Sequence, residues 1–412
     1  MSVQTLDVRL RFSAEAEIPV GKLATVNRSQ VFQYDDSFLN HPLPLSPLHL
    51  PVRPGVQVYD GQGRMEAFGV FEDALPDSWG RRLVDRHFQK TVGRLPSVLE
   101  RLAYAGERAM GALTFHSPAE SDLLPDRSLD LAGLATEAWA FDGDTVEDAL
   151  PELRRVAGTS GGARPKILVG LPEKGSRKKR VLPGDGDLPQ GYAHWIVKFN
   201  TRAEGRETGP LEYAYAECAA TAGADVPEHR LISTSVGEFY AVRRFDRPSA
   251  GNRLHLHSAA GLLHADFRTP GDEYDVVFRL TEALTRDYAQ KLELFRRVCL
   301  NVLASNRDDH LKNFAFLMTR EGVWRLAPLF DFTFNTGPNG WHTLTVAGEG
   351  QNPGRKDLLL LAEQADVRRN EALAIIDQVR GAVSSFAQIS KNLPIARRTR
   401  SKLQVLFQKL DV

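Results

Sequence analysis

Short alternating runs dominate the first third of the chain. Val8 to Phe12 alternates apolar and polar positions, and so does Val31-Phe32-Gln33-Tyr34. A period of two puts every second side chain on one face, so each run predicts a half-buried strand. Val56-Gln57-Val58-Tyr59 and Phe68-Gly69-Val70-Phe71 predict two more short strands, with turns at Pro51-Val52-Arg53-Pro54-Gly55 and Asp60-Gly61-Gln62-Gly63. Helical spacing then replaces alternation from Ser78 to Phe88 and from Pro96 to Ala105, and Asp77 or Ser78 suits the first helix as an N-cap. Gly111-Ala112-Leu113-Thr114-Phe115 closes this unit as a strand. Residues 117–150 are polar and acidic and predict a connector with one or two short helices.

The middle of the chain returns to strands. Ile167-Leu168-Val169, His194-Trp195-Ile196-Val197-Lys198-Phe199 and Phe239-Tyr240-Ala241-Val242-Arg243 are apolar runs, and Glu212 to Gly223 reads as an amphipathic helix between the last two. Beyond residue 251, segments 279–286, 288–304 and 369–388 have helical apolar spacing. A stripe of Leu292, Phe295, Val298, Cys299 and Val302 leads straight into residues 305–331. There Asn313 to Met318 and Val323 to Leu326 read as a hairpin turning at Thr319-Arg320-Glu321-Gly322. A regular hairpin centred on Gly322 would bring Asn313 and Asp331 side by side. The fold class is α/β (α+β), with a β-rich N-terminal lobe and an all-α C-terminal lobe. It divides into a β-rich part at 1–118, a second strand-containing part at 119–250 and a helical part at 251–412.

Composition narrows the classes. Lys plus Arg equals Asp plus Glu at 52 each, so no global field steers the protein to nucleic acid or membrane. The basic run Lys174, Arg177, Lys178, Lys179, Arg180 predicts an exposed hairpin tip. Two cysteines, Cys218 and Cys299, sit in apolar helical patterns and predict buried free thiols, which fits a reducing, cytoplasmic setting. The N-terminus has no apolar signal core, and no apolar run reaches the ~18 residues of a membrane span.

The chemistry concentrates between Ser305 and Asp331. Asp308 precedes Asn313 by five positions, the spacing of a protein-kinase catalytic loop. Hard oxygens at Asn313 and Asp331 suit Mg²⁺, and a separate carboxylate can accept a hydroxyl proton. Asp309 is adjacent, and the offset favours Asp308 as that base. His310 has no second histidine at ligand spacing and reads as a residue that orients the loop. His255, His257 and His264 show no metal-ligand spacing either. Upstream, Gly158-Thr159-Ser160-Gly161-Gly162-Ala163 enters a strand through Arg164-Pro165-Lys166, and its amides can cradle phosphate. It is not a Walker A loop, because a strand follows where a helix should. Lys198, on the next strand, can bind the α and β phosphates of ATP, with Glu212 or Glu217 as its partner. Backbone groups after Arg243 would read an adenine edge, with Phe245 packing nearby.

The string Asn306-Arg307-Asp308-Asp309-His310-Leu311-Lys312-Asn313-Phe314, followed by Leu326-Ala327-Pro328-Leu329-Phe330-Asp331, resembles the HipA family of serine/threonine kinases, the toxins of bacterial toxin–antitoxin modules. The family pattern is N-x-D-x-H-x-K-N-F, then L-A-P-x-Y-D. Thr159 to Lys166 resembles its S-x-x-G-A-x-x-K loop, Trp195 to Phe199 its W-x-x-K-F, and Val242 to Arg247 its V-E-R-F-D-R, with Arg243 where the family has glutamate. Phe32-Gln33-Tyr34-Asp35 with Pro44-Leu45-Ser46, Ala74-Leu75-Pro76-Asp77 and Met110-Gly111-Ala112-Leu113 resemble its N-terminal subdomain.

The resemblance implies Asp308 as base, Asn313 and Asp331 on magnesium, and a nucleotide held by Lys166, Lys198, His310 and Lys312. It implies autophosphorylation of the Gly-rich loop at Thr159 or Ser160. It also implies a protein substrate modified on serine or threonine, with aminoacyl-tRNA synthetases as the substrate class, and a helix-turn-helix antitoxin through which DNA is reached indirectly. Three other readings stay open: a catalytically silent nucleotide-binding regulator, a kinase of small molecules, and a metal-dependent hydrolase using Asp308, Asp309, His310 and Asp331.

Overall fold

The computed structural model describes residues 4–59, 61, 65–76, 78–117, 128–143, 149, 151–157, 164–201, 204–267 and 271–409. The alternating N-terminal runs form an antiparallel sheet of β1 (Thr5–Ser13), β2 (Ala16–Val26), β3 (Ser29–Tyr34), β4 (Val56–Val58) and β5 (Leu113–His116), in the order β4-β3-β2-β1-β5. Leu6, Val8, Leu10 and Phe12 all turn inward from β1, as their spacing requires. β2 is not among the expected strands, because Pro19 and Gly21 interrupt its pattern. Both have a reason in the structure. Pro19 sits at a register shift opposite Arg9, and a Cβ on Gly21 would lie 2.2 Å from the Gln33 carbonyl oxygen.

Helices α1 (Asp36–Asn40), α2 (Gly69–Glu72), α3 (Ser78–Val92) and α4 (Val98–Ala105) complete this region. Phe68–Phe71, expected as a strand, is instead the start of α2. Four consecutive apolar residues carry no period, and here packing decides: Gly69 lies directly against the backbone of Gly261. Asp77, offered as an N-cap for α3, lies outside the described residues.

The second sheet contains β6 (Lys166–Pro172), β7 (Leu182–Pro183), β8 (Tyr192–Lys198), β9 (His229–Ser233) and β10 (Glu238–Arg243), ordered β7-β6-β8-β10-β9. Helices α5 (Leu131–Asp142) and α6 (Pro151–Ala157) pack on it, and α7 (Thr208–Thr221) connects β8 to β9. The basic run of residues 174–180 lies on the connection between β6 and β7 and is exposed throughout except at Ser176.

The C-terminal region holds α8 (Ala259–Leu263), α9 (Tyr274–Thr285), α10 (Tyr288–Leu303), α11 (Arg355–Gln364), α12 (Arg369–Ser384), α13 (Phe386–Ile389) and α14 (Arg397–Lys409). A small sheet of β11 (His255–Ser258), β12 (Ala315–Met318) and β13 (Trp324–Leu326) carries the hairpin. Its register pairs Phe316 with Leu326 and Met318 with Trp324. The ladder is therefore centred on residue 321, one before the expected position, and its register sets Leu329 rather than Asp331 opposite Asn313. The chain leaves the ladder after Ala327 and reaches Asp331 in a left-handed conformation, φ 51°.

Two cores result. One runs without a break from the first sheet into α7 and the C-terminal helices, and the other lies under the second sheet. Arg244, Asp246 and Arg247 join the two regions. Asp246 accepts hydrogen bonds from both guanidiniums and from the Gly111 amide, while Arg247 also donates to the Gly111 and Ala109 carbonyls. Cys218 and Cys299 are buried free thiols, and burial pushes Cys218 up to about 12. Among the described residues no helix is long and apolar enough to cross a membrane.

Candidate functional site

A cleft of about 760 Å³ opens where the second sheet faces the small sheet and the loop after α10. β8 delivers Lys198 into it. The Lys198 ammonium donates to Glu212 Oε1 at 2.5 Å and to Asp331 Oδ1. Burial opposes the charge on Lys198, but Asp331 and Glu212 outweigh it and raise the pKa. The same contact works in reverse on Asp331: burial pushes the carboxyl up, and the cations Lys198, Lys166 and Arg164 hold it well below the usual carboxylate range. The choice between Glu212 and Glu217 is thereby resolved. Glu212 is buried at 3% exposure beside Lys198, whereas Glu217 accepts from His229 at 2.8 Å.

Lys166 stands directly opposite Lys198 in the β6–β8 ladder, is buried, and lines the cleft. Arg164 also lines it, bridging Glu204 at 2.8 Å and Glu212 at 3.4 Å. Thr159, Ser160, Gly161, Gly162 and Ala163 lie outside the described residues. Arg243 sits at the rim with its guanidinium 3.3 Å from Glu228 and 3.8 Å from Glu173. Phe245 meets Phe330 with ring centroids 5.5 Å apart. With Ile196, Val242 and Leu256 these rings give the cleft an apolar end.

The opposite side carries the expected loop. Asp308 lines the cleft with its side chain 52% exposed, and His310 Nε2 lies 3.8 Å from its Oδ1. His310 packs against Phe267 at 5.0 Å between centroids, and the Lys312 ammonium lies 5.1 Å over that same ring. The Asn313 side chain donates through Nδ2 to the Asp308 carbonyl at 2.7 Å. That bond fixes the amide and leaves its oxygen as the end open to a hard cation. Asp331 adds a carboxylate about one third exposed. One amide oxygen and one carboxylate suit Mg²⁺, which takes few protein ligands and completes its shell with phosphate and water. No cluster of three or more His, Cys, Asp or Glu able to hold a metal exists among the described residues.

Asp309, adjacent to Asp308, does the opposite. It is 1% exposed and accepts from Tyr274 Oη at 2.6 Å, His342 Nδ1 at 2.7 Å and the Thr343 amide at 2.8 Å. The carboxylate that faces the cleft is therefore Asp308.

Asp73, Ser258 and Tyr240 are among the cleft residues that the sequence does not mark as such. Asp73, from the turn after α2, lines the cleft while accepting from the Ser258 amide and hydroxyl and from His257 Nδ1, all at 2.7 Å. Ser258 and Tyr240 line it as well. Their partners lie far away in sequence, and no local spacing marks them. The three histidines without metal spacing have structural partners: His257 also meets Ser46, His255 bonds the Leu45 carbonyl, and His264 accepts from the Gly69 amide.

The chain is similar to known proteins in sequence and in fold. A family profile described as HipA-like C-terminal domain matches residues 158–386, more than half of the chain, and one described as HipA N-terminal domain matches residues 15–116. A Sinorhizobium fredii protein named "Putative kinase Y4dM" is 26% identical over 319 residues, 71% of this chain and 70% of that protein. A Haemophilus influenzae protein named "Putative kinase" is 27% identical over 135 residues, 29% of this chain and 39% of its own length. Among solved structures, the Shewanella oneidensis MR-1 toxin–antitoxin HipA, in complex with HipB and operator DNA, matches 98% of this chain and 95% of its own. The TM-score is 0.70 at 16% identity, a likeness of fold.

Proposed function

The chain belongs to the HipA family, and we propose that it is an ATP-dependent serine/threonine protein kinase of the toxin type. The observation that carries this reading is the convergence of Lys198, Glu212, Asp308, Asn313 and Asp331 on one cleft from elements up to 133 residues apart. In this reading the γ-phosphoryl group passes from ATP to a substrate hydroxyl. The bond from phosphorus to the β-phosphate oxygen breaks, a bond to the substrate oxygen forms, and Asp308 accepts the hydroxyl proton. Lys198 and Lys166 hold the phosphates, and Glu212 keeps Lys198 charged and extended. The apolar end formed by Ile196, Val242, Phe245 and Phe330 takes the adenine. Asn313 and Asp331 would hold Mg²⁺, which would supply charge neutralisation at the phosphate oxygens. Phosphoryl transfer needs mainly positioning and charge neutralisation, and these groups supply both.

The proposal extends to partners. A helix-turn-helix antitoxin would bind this chain and carry it to DNA, as HipB accompanies the Shewanella protein. Aminoacyl-tRNA synthetases are the substrate class to try first. Thr159 and Ser160 are the proposed autophosphorylation sites.

The test is incubation with Mg²⁺ and γ-labelled ATP beside Asp308→Ala and Asp331→Ala, with label mapped by mass spectrometry. Label on protein in the wild type alone is the expected result. Nucleotide binding without any turnover would replace this reading with a silent regulator, and label found only on added small molecules would make it a small-molecule kinase.

A further inference from the structure

We propose that Asp309 is a positioning residue: a buried carboxylate that clamps the segment after Asp331 to the catalytic loop and thereby aims Asp308 into the cleft. This rests on the kinase reading of the same site, because it assigns Asp309 a job only through Asp308.

The argument begins with burial. A carboxylate 1% exposed is costly unless its oxygens are satisfied, and Asp309 has three donors from two other parts of the chain. Tyr274 is the first residue of α9, and His342 and Thr343 lie in the segment that follows Asp331. A carboxylate only accepts, so it sets the direction of every bond behind it. The Tyr274 hydroxyl must donate to Asp309, which leaves its oxygen to accept from Asn301 Nδ2 at 3.0 Å. The Asn301 carbonyl then accepts from Asn306 Nδ2 at 2.9 Å. One charge thus orients a chain of amides running from α10 back to the residue that opens the catalytic loop.

The same segment is stitched to the loop along its backbone. Asn335 donates to the Ser305 carbonyl at 3.1 Å, Arg307 to the Asn335 carbonyl at 3.2 Å, and the Thr343 hydroxyl to the Arg307 carbonyl at 3.3 Å. The Arg307 guanidinium reaches the Gly340 carbonyl. Gly337 makes the close approach possible: its φ is 68°, and a Cβ there would lie 2.7 Å from Arg307 Cβ. Asp308 is consequently gripped on both sides, by Asn313 on its own carbonyl and by the Asp309 anchor on the next residue. Its side chain is left pointing at the cleft.

In the family pattern quoted above, position 309 is unspecified, so the assignment rests on the contacts of Asp309 in this structure. Misplacing a reacting group by about 1 Å costs on the order of 100-fold, and the anchor's contribution should be a sizeable part of that.

The test measures ADP formation by the full chain with Mg²⁺ and ATP, well below the melting temperature, together with the Kd of ATP. Asp309→Asn is expected to lower kcat on the order of 30-fold while the Kd stays within about twofold. Tyr274→Phe, which keeps the carboxylate and removes one donor, is expected to lower kcat about fivefold and covers the case in which Asp309→Asn does not fold. In an Asp308→Ala background, Asp309→Asn should cost less than about twofold more, because a residue acting only through Asp308 has nothing left to position. Full additivity, or kcat and nucleotide affinity falling in parallel, would overturn the proposal while leaving the kinase reading intact. Absence of ADP formation by the wild type would overturn both.

Discussion

Lys198 and Asp331 are 133 residues apart and share a hydrogen bond across the cleft, and the same ammonium holds the buried Glu212. Removing the cation is therefore worse than removing the whole pair. Lys198→Met should cost about 3 kcal/mol, the low end for stranding a buried charge, since Arg164 still stands near Glu212. Adding Glu212→Gln should recover part of that loss. Urea midpoints of the two single variants and the double variant measure it, and a double variant as unstable as the sum of the singles would deny the coupling.

Two buried histidines set the first acid limit. Burial, then Arg244 and Arg247, depresses His194 to about 3, and burial, then His257, depresses His255 to about 3. Each stays neutral in the folded chain while its unfolded counterpart takes up a proton below 6.5. Stability is thus fully present above pH 6.5 and falls as pH drops toward 3. The slope is about 1.4 kcal/mol per pH unit for each histidine. Urea midpoints at steps from pH 7 to 4.5, above most carboxylate titration, should decline for the wild type. The double variant His194→Gln/His255→Gln should give a flatter line.

The local parts of this architecture were readable in the sequence, and the contacts between them were not. Alternation marked β1 and β3, helical spacing marked α3, α4, α10 and α12, and turn chemistry marked the β12–β13 hairpin. Lys198, Asp308, Asn313 and Asp331 could be named because each sits at a fixed offset within a short motif. Nothing local separates Glu212 from Glu217, and between Asp308 and Asp309 only the offset to Asn313 chooses. In each pair one carboxylate faces the cleft side and the other does not, and the choice is made by partners elsewhere: Lys198 for Glu212, and Tyr274 and His342 for Asp309. Phe68–Phe71 became a helix for a similar reason, since only the backbone of Gly261 shows why Gly69 must be small. β2 was hidden because Pro19 and Gly21, which break its pattern, answer to Arg9 and Gln33 on the neighbouring strands.

Gly69 makes a sharper test of how the first sheet joins the C-terminal core. A Cβ there would lie 1.9 Å from the Gly261 carbonyl oxygen, a backbone atom that cannot swing aside. Gly69→Ala should force α2 from α8 and destabilise the protein by about 3 kcal/mol, the upper range for overpacking. Gly55→Ala, at a turn with nothing within 4 Å but φ 89°, should cost about 1 kcal/mol. Melting temperatures of the two variants should therefore differ clearly, and equal shifts would mean that α2 tolerates displacement.

Asp246 ties the end of the second sheet to the first region by charge, where Gly69 ties the first region to α8 by fit. It is fully buried between Arg244 and Arg247. Burial pushes its carboxyl up, but the two guanidiniums outweigh that and hold it well below 3.8. The stability it contributes is present above pH 3.8 and is lost as pH falls below it, later in an acid titration than the histidine effect. Asp246→Ala strands two buried cations and should cost about 4 kcal/mol. Asp246→Asn keeps one acceptor oxygen and should cost less. The loss should also be local, because Asp246 accepts from the Gly111 amide at 2.8 Å. Hydrogen exchange at Gly111 should accelerate in both variants, more in Asp246→Ala, while amides in β8 change little. Uniform acceleration across both sheets would mean that the triad supports the whole fold and not the joint alone.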